Sequence, residues 1–378
     1  MKRFKIKTEV CFDEDAIDAL GEIKAKNVVI ITDSFMASSG LAEKVAEKLK
    51  NCLKVHIFDK VKPDPPIELI TEGVRFLSDV GADAVVALGG GSSIDAAKSI
   101  VLMTRRIHLG EEILLIAIPT TSGTGSEVTQ FSVITDTQKG VKYPLVKEEL
   151  LPDIAILDPN FVMTAPKSVT ADTGFDVLTH AIEAYVSTQA DDISDALAEK
   201  ACELAFEFLP RAYQNGMDYL AREKMHMASC LAGMAFNHVS LGINHSIAHA
   251  LGAKFHIPHG RANAMLLSHV ILFNADLDGH FGRQDAIAAI KYAKIAKRVG
   301  LAFENTKMGV YRFVEELSYM LRMMQIPSTI TEAKVSLTEF ETMREAIVTS
   351  ALADVCTATN PRAVSEKEIH QILDLIAK

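Results

Sequence analysis

The sequence predicts two domains in tandem, an α/β unit over residues 1–165 and an all-α helical unit over residues 166–378. Three observations carry that prediction. Short apolar, β-branched runs recur in the first part: VVIIT (28–32), LKVHIF (53–58), ADAVVAL (82–88) and LLIAIP (114–119). Stretches of helical length separate them, the pattern of a parallel sheet covered on both faces. Past ILDPNFVMTAPKSVT (156–170), punctuated by Pro159 and Pro166, such runs nearly vanish, and Ala, Leu, Met, Glu and Lys recur at helical spacing. The length of 378 residues, at about 150 per domain, also favours two.

In order along the chain, FKIKTEVCF (4–12) alternates and predicts an edge strand. VVIIT ends at Asp33 and is followed by LAEKVAEKL (41–49), an amphipathic helix. ADAVVAL runs into Gly89, Gly90, Gly91 and Ser92 and then into a helix, whereas LLIAIP opens a second loop, IPTTSGTGSEVT (118–129). In the later part, helices are predicted over ISDALAEKACELAFEFLPRAY (193–213), YLAREKMHMASCLAGMAF (219–236), DAIAAIKYAKIAKRVG (285–300) and EKEIHQILDLIAK (366–378).

Composition narrows the function by exclusion. Acidic residues outnumber basic ones by 49 to 39, a net charge of −10, which argues against a surface built to track nucleic-acid phosphates. Five scattered cysteines without a C-x-x-C pair argue against both a disulfide framework and a thiolate zinc cluster. The longest apolar runs fall well short of the roughly 18 residues of a membrane span. MKRFKIKTEV lacks the apolar stretch of a secretory signal, so a cytoplasmic chain is expected.

Both loops stand where a strand ends and can receive a polar ligand. Glycines let the backbone approach closely, and free amides at a helix start favour an anion. The Gly89–Ser92 spacing matches neither G-x-G-x-x-G nor a phosphate-binding G-K-S/T loop, so a tight turn with no ligand is an equal reading of that motif alone. The second loop adds hydroxyls and amides at another strand end, where open α/β sheets bind their ligands. Together they favour a Rossmann-like, dinucleotide-binding domain. Asp33, after the first strand, suits a ribose diol and would repel the extra phosphate of NADP, although a turn or helix cap is the commoner use of such an aspartate.

Of the 12 histidines, eight crowd between His226 and His280. Asp176 and His180, four apart, face one way on a helix, and so do His245 and His249. Pro258 and Gly260 predict a loop holding His259, and His256 lies nearby. Asp176 and His180 with two of these histidines make a site for Fe(II) or Zn(II). A structural hydrogen bond within the first pair and a proton-handling cluster without metal remain open.

With GGGSSIDAAK, PTTSGTGSE, the run 176–185 and HSIAHALGAKFHIPHG in hand, the chain resembles the iron-containing (group III) alcohol dehydrogenases from about residue 33 to 361. Segments 139–159, 195–210 and 351–362 resemble most the branch associated with bacterial microcompartments. The resemblance implies a helical metal-binding domain in which Asp176, His180, His245 and His259 hold Fe(2+), with Zn(2+) also suited. It implies that His249 lies beside the nicotinamide and relays a proton. For NAD(H) it implies Asp33 at the ribose, Gly90, Gly91, Ser92 and Asp95 at the diphosphate, and Thr120 and Thr121 nearby. Thr129, Phe131, Lys142 and Phe161 follow on the nicotinamide side. The implied reaction interconverts small primary alcohols and aldehydes, reducing propionaldehyde or acetaldehyde and regenerating NAD. The implied partners are that substrate, further copies in a homodimer or higher homo-oligomer, and microcompartment enzymes, with neither nucleic acid nor membrane.

Some positions depart from the family pattern: Asp64 stands where many relatives have Asn, and His238 and His256 are additional histidines. Phe236 is expected to wall a small apolar pocket. Two alternatives stay open, a polyol, glycerol or lactaldehyde dehydrogenase of the same superfamily and a metal-dependent hydrolase; the hydrolase leaves Asp33 and both loops without a use.

Overall fold

A computed structural model describes residues 3–108, 112–138, 141–277 and 286–377; His280 lies outside them. The chain divides into two compact units, Met1–Ala165 and Pro166–Lys378.

The first unit runs β1 (Glu9–Phe12), β2 (Asn27–Asp33), α1 (Ser34–Ser38), α2 (Leu41–Lys48), β3 (Lys54–Val61), α3 (Ile67–Val80), β4 (Ala84–Gly89), α4 (Gly91–Ile107), β5 (Leu114–Pro119), β6 (Phe131–Asp136), β7 (Val141–Val146) and β8 (Ile154–Leu157). Six strands form one parallel sheet in the order β1-β8-β5-β4-β2-β3. Its central strands alternate between two cores, which is why they read as unbroken apolar runs. Val29, Ile31, Val85 and Ala87 face one layer with Leu77 of α3 and Ile100 of α4. Val28, Ile30, Val86 and Leu88 face the other, with Val45 of α2 and Leu20. The α/β class and the edge position of β1 are as predicted.

The antiparallel hairpin of β6 and β7 was not anticipated. Ser132, Thr135, Lys142 and Pro144 interrupt the apolar continuity that made the other strands legible. Strand order reverses between β2 and β4, so Asp33 and Gly89 end neighbouring strands at the topological switch point, where such sheets open a crevice.

The second unit is helical, as predicted: α5 (Lys167–Val186), α6 (Asp192–Gln214), α7 (Tyr219–Val239), α8 (Ile243–Phe255), α9 (His259–Ala275), α10 (Ile287–Arg298), α11 (Thr306–Met323), α12 (Leu337–Ala353) and α13 (Glu366–Ile376). Side-chain caps start several of them: Asp191 with Ser194 closes a capping box on α6, and Ser336 caps α12. From Gly174 to Val186 every residue of α5 is buried, so this helix is the centre of its unit. One apolar core joins α8, α9, α12 and α13 through Ile247, Leu266, Phe340 and Leu373. Among the described residues no helix is long and apolar enough to cross a membrane.

Candidate active site

Helix α5 carries Asp176, His180 and Glu183 at spacings of four and three, which place all three on one face. Helix α8 carries His245 and His249 one turn apart. His259 is the first residue of α9 and not part of a loop, a correction to the sequence reading. His256, with φ 54°, ends α8, and Pro258 starts a new helix where its missing N–H costs nothing. Glycine at 260 is obligatory, because a Cβ there would collide with Asp172 O on α5. That close approach brings His259 up to Asp176.

One ligand atom each from Asp176, His180, His245 and His259 lies within 4.8 Å of the others. Asp176 Oδ1 is 3.4 Å from His259 Nε2 and 4.0 Å from His245 Nε2, while Asp176 Oδ2 is 4.0 Å from His180 Nδ1. Ligands about 2.1 Å from a shared tetrahedral ion stand roughly 3.4 Å apart, so the Asp176–His259 pair already has that spacing and the 4.0 Å pairs would draw together by about half an ångström around one cation. Burial and the charges of His180, His259 and His249 hold His245 well below its ordinary 6.5, leaving a neutral imidazole. Burial also raises Asp176, against the opposing charge of His180 and a hydrogen bond from Asn263. A buried carboxyl group beside three imidazoles is a donor set that divalent iron or zinc satisfies.

The surroundings aim these atoms. His245 Nδ1 is 2.5 Å from Glu183 Oε2, which turns Nε2 inward. Burial pushes Glu183 up to about 8, even though it accepts backbone N–H groups of Asn244 and His245. Asn263 Nδ2 lies 2.8 Å from Asp176 Oδ1, 3.1 Å from His245 Nε2 and 3.2 Å from His259 Nε2. Its Oδ1 accepts from Asn244 at 3.0 Å, which fixes the direction of the amide. The Phe236 ring stacks on His180 at 4.5 Å and supplies an apolar wall. His249, 42% exposed at its side chain, pairs through Nδ1 with Asp354 Oδ2 at 2.8 Å and stacks on His259. Burial raises Asp354, but the His249 bond and charge outweigh it and leave the carboxyl below its ordinary value.

In the first unit, Gly89 at φ 146° turns the chain from β4 into α4, a conformation that favours glycine. Thr120 N donates to Gly89 O at 3.0 Å, and Thr121 lies against Gly90, so the two loops touch. Asp33 caps α1 with one oxygen, Oδ1, which accepts from the N–H groups of Phe35 and Met36. Oδ2 lies 3.7 Å from the position of a Cβ on Gly89, so capping and a role at the glycine loop are compatible. Lys142 Nζ pairs with Asp64 Oδ1 at 2.6 Å. Asp64 sits at φ 53°, a conformation that both Asn and Asp tolerate.

A family model for the iron-containing alcohol dehydrogenases matches residues 7–159, and one for the C-terminal part of the Fe-containing alcohol dehydrogenase family matches residues 170–376. The chain belongs to the iron-containing alcohol dehydrogenase family. It is 43% identical over 376 residues to a 1-propanol dehydrogenase of Citrobacter freundii, covering 99% of both chains. It is 37% identical to an NADPH-dependent butanol dehydrogenase of Clostridium saccharobutylicum, covering 100% of this chain and 98% of the relative. A crystal structure of 1,3-propanediol oxidoreductase matches with a TM-score of 0.89 at 32% identity, covering 99% of each chain. As an iron-containing alcohol dehydrogenase, the protein is an oxidoreductase of alcohols and aldehydes that works with NAD(H) and iron.

Several residues of this dehydrogenase depart from their expected surroundings. Phe161 is 1% exposed, closed into the apolar layer with Leu20 and Val45, because the turn after β8 folds it beneath the sheet; its ring offers a ligand no face. Asp95 uses both oxygens internally, accepting from Ser126 Oγ at 2.7 Å and Val133 N at 2.9 Å. His238 pairs with Asp191 at 3.0 Å, and His256 is exposed at the end of α8. Sequence reading of the dehydrogenase missed Glu183, Asn263, Asp354 and Lys98. The signal for Glu183 was its spacing of three from His180, and for Asn263 its spacing of four from His259.

Proposed function

We propose that this dehydrogenase interconverts small, unbranched primary alcohols and aldehydes such as 1-propanol and propionaldehyde, with NAD(H) preferred over NADP(H). The observation that carries the reading is the convergence of Asp176, His180, His245 and His259 beside the apolar ring of Phe236. These four residues would hold the iron, with Glu183 orienting His245 and Asn263 orienting Asp176. When bound, the metal supplies Lewis-acid polarisation of the substrate oxygen, and the nicotinamide supplies or takes the hydride. Asp354 holds the Nδ1 side of His249, which leaves Nε2 to take the hydroxyl proton during oxidation and return it during reduction. Asp33 favours NAD(H) because its second oxygen would repel a ribose phosphate. The α/β unit serves as the dinucleotide-binding domain and the helical unit as the metal-binding domain.

The test is anaerobic purification with metal analysis, followed by two- to four-carbon alcohols, diols and aldehydes with NAD(H) and NADP(H), monitored at the NADH absorbance band. Turnover of 1-propanol or propionaldehyde by metal-loaded protein with NAD(H) is expected. A clear preference for diols would move the substrate to the polyol class. Encapsulation in a microcompartment and a homo-oligomeric state rest on the resemblance of residues 139–159, 195–210 and 351–362. Light scattering of the purified protein and co-isolation with shell particles test them.

A further inference from the structure

Lys98 is a fully buried lysine, 0% exposed, on the face of α4 two turns beyond Gly91. Its Nζ donates to Ser126 Oγ at 2.9 Å, Thr129 O at 2.8 Å and Phe131 O at 2.9 Å, with Thr129 Oγ1 at 3.3 Å. All four acceptors belong to the segment between β5 and the start of β6. Three residues earlier on the same helix, Asp95 grips Ser126 and Val133. Burying an ammonium is costly unless its donors are satisfied and a counter-charge is near, and here Asp95 and Glu127 supply the charge. A compact ammonium with three divergent donors suits this cage, whereas a planar guanidinium does not.

We propose that Lys98 is a positioning residue for the nucleotide cofactor, its ammonium holding residues 126–131 in place over the helix that begins at the glycine loop. Through it, one rigid helix sets both loops. The inference rests on the reading of these loops as the NAD(H) site. Burial lowers Lys98 to about 8 and raises Glu127 to about 7, while Asp95 is raised by burial against the charge of Lys98. As pH rises through about 8 the amine loses its charge and one of its three donors, so the loop loosens and NADH affinity should fall. Titration of Glu127 falls about a unit lower and precedes that limb.

Fluorescence titration of the full-length, metal-loaded protein with NADH tests this. Lys98→Met should weaken NADH binding by about tenfold or more, leave metal content and the aldehyde KM at saturating NADH near their starting values, and abolish the affinity limb above about pH 8. Unchanged NADH affinity in folded Lys98→Met, or survival of that limb, overturns the proposal. If Lys98→Met does not fold, Ser126→Ala removes one arm of the cage: a several-fold loss of NADH affinity supports the proposal and an unchanged affinity overturns it. Failure of the underlying reading looks different. In that case the unsubstituted protein does not bind NADH, or Asp33→Gly leaves the choice between NADH and NADPH unaltered.

Discussion

On the function proposed above, the two units would hold their ligands by opposite means. In the α/β unit the proposed cofactor loops stand at the ends of β4 and β5, and the side chains of Lys98 and Asp95 brace the second of them from α4. In the helical unit the groups are side chains, delivered at intervals of one turn from α5, α8 and α9. A site made of side chains is abolished by one truncation, whereas a site made of backbone amides is weakened by degrees. The two units should therefore respond differently to the same kind of substitution.

The largest expected effect is at His259. His259→Ala should lose bound metal and activity together while NADH affinity is kept, read by metal analysis and fluorescence titration; a metal-replete, active variant would break the contrast. Chelation of the metal should likewise remove turnover and leave NADH binding intact. Next is His249→Ala, which should keep its metal but lower kcat by about 10²–10⁴-fold. Loss of metal from that variant would show that His249 is a ligand. Glu183→Gln should weaken metal affinity by about 10- to 100-fold, measured by competition with a chelator, because the Nδ1 side of His245 is no longer held by the Glu183 carboxyl group. Smallest is Asp33→Gly, for which a shift of roughly tenfold in the ratio of kcat/KM for NADH to that for NADPH is expected, the typical worth of one charge-assisted contact. A ratio that does not move would remove Asp33 from the ribose.

The same contrast explains what could be read from sequence. Strands buried on both faces announce themselves, as β2, β4 and β5 do, because each residue meets one of two apolar layers. The hairpin of β6 and β7 does not, since its residues are mixed and Pro144 interrupts it. Histidines four apart on one helix were legible as pairs. Which helix would approach which was not, and the position of His259 depends on a glycine that lets α9 press against Asp172. Lys98 was invisible for a different reason: on sequence a lysine in a helix reads as solvated, and only the loop folded over it makes it a buried donor.

The four clustered residues are unequally screened from water. Asp176, His180 and His245 have side chains 3%, 6% and 1% exposed, whereas that of His259 is 39% exposed. If these four residues hold the ion as proposed, exchange of one metal for another is expected to proceed through the swing of the His259 imidazole, with Asp176, His180 and His245 as a fixed floor. The nucleus that an isolated batch carries should reflect which ion last entered by that door, so the rate of extraction by small and bulky chelators becomes a measure of how often His259 lets go.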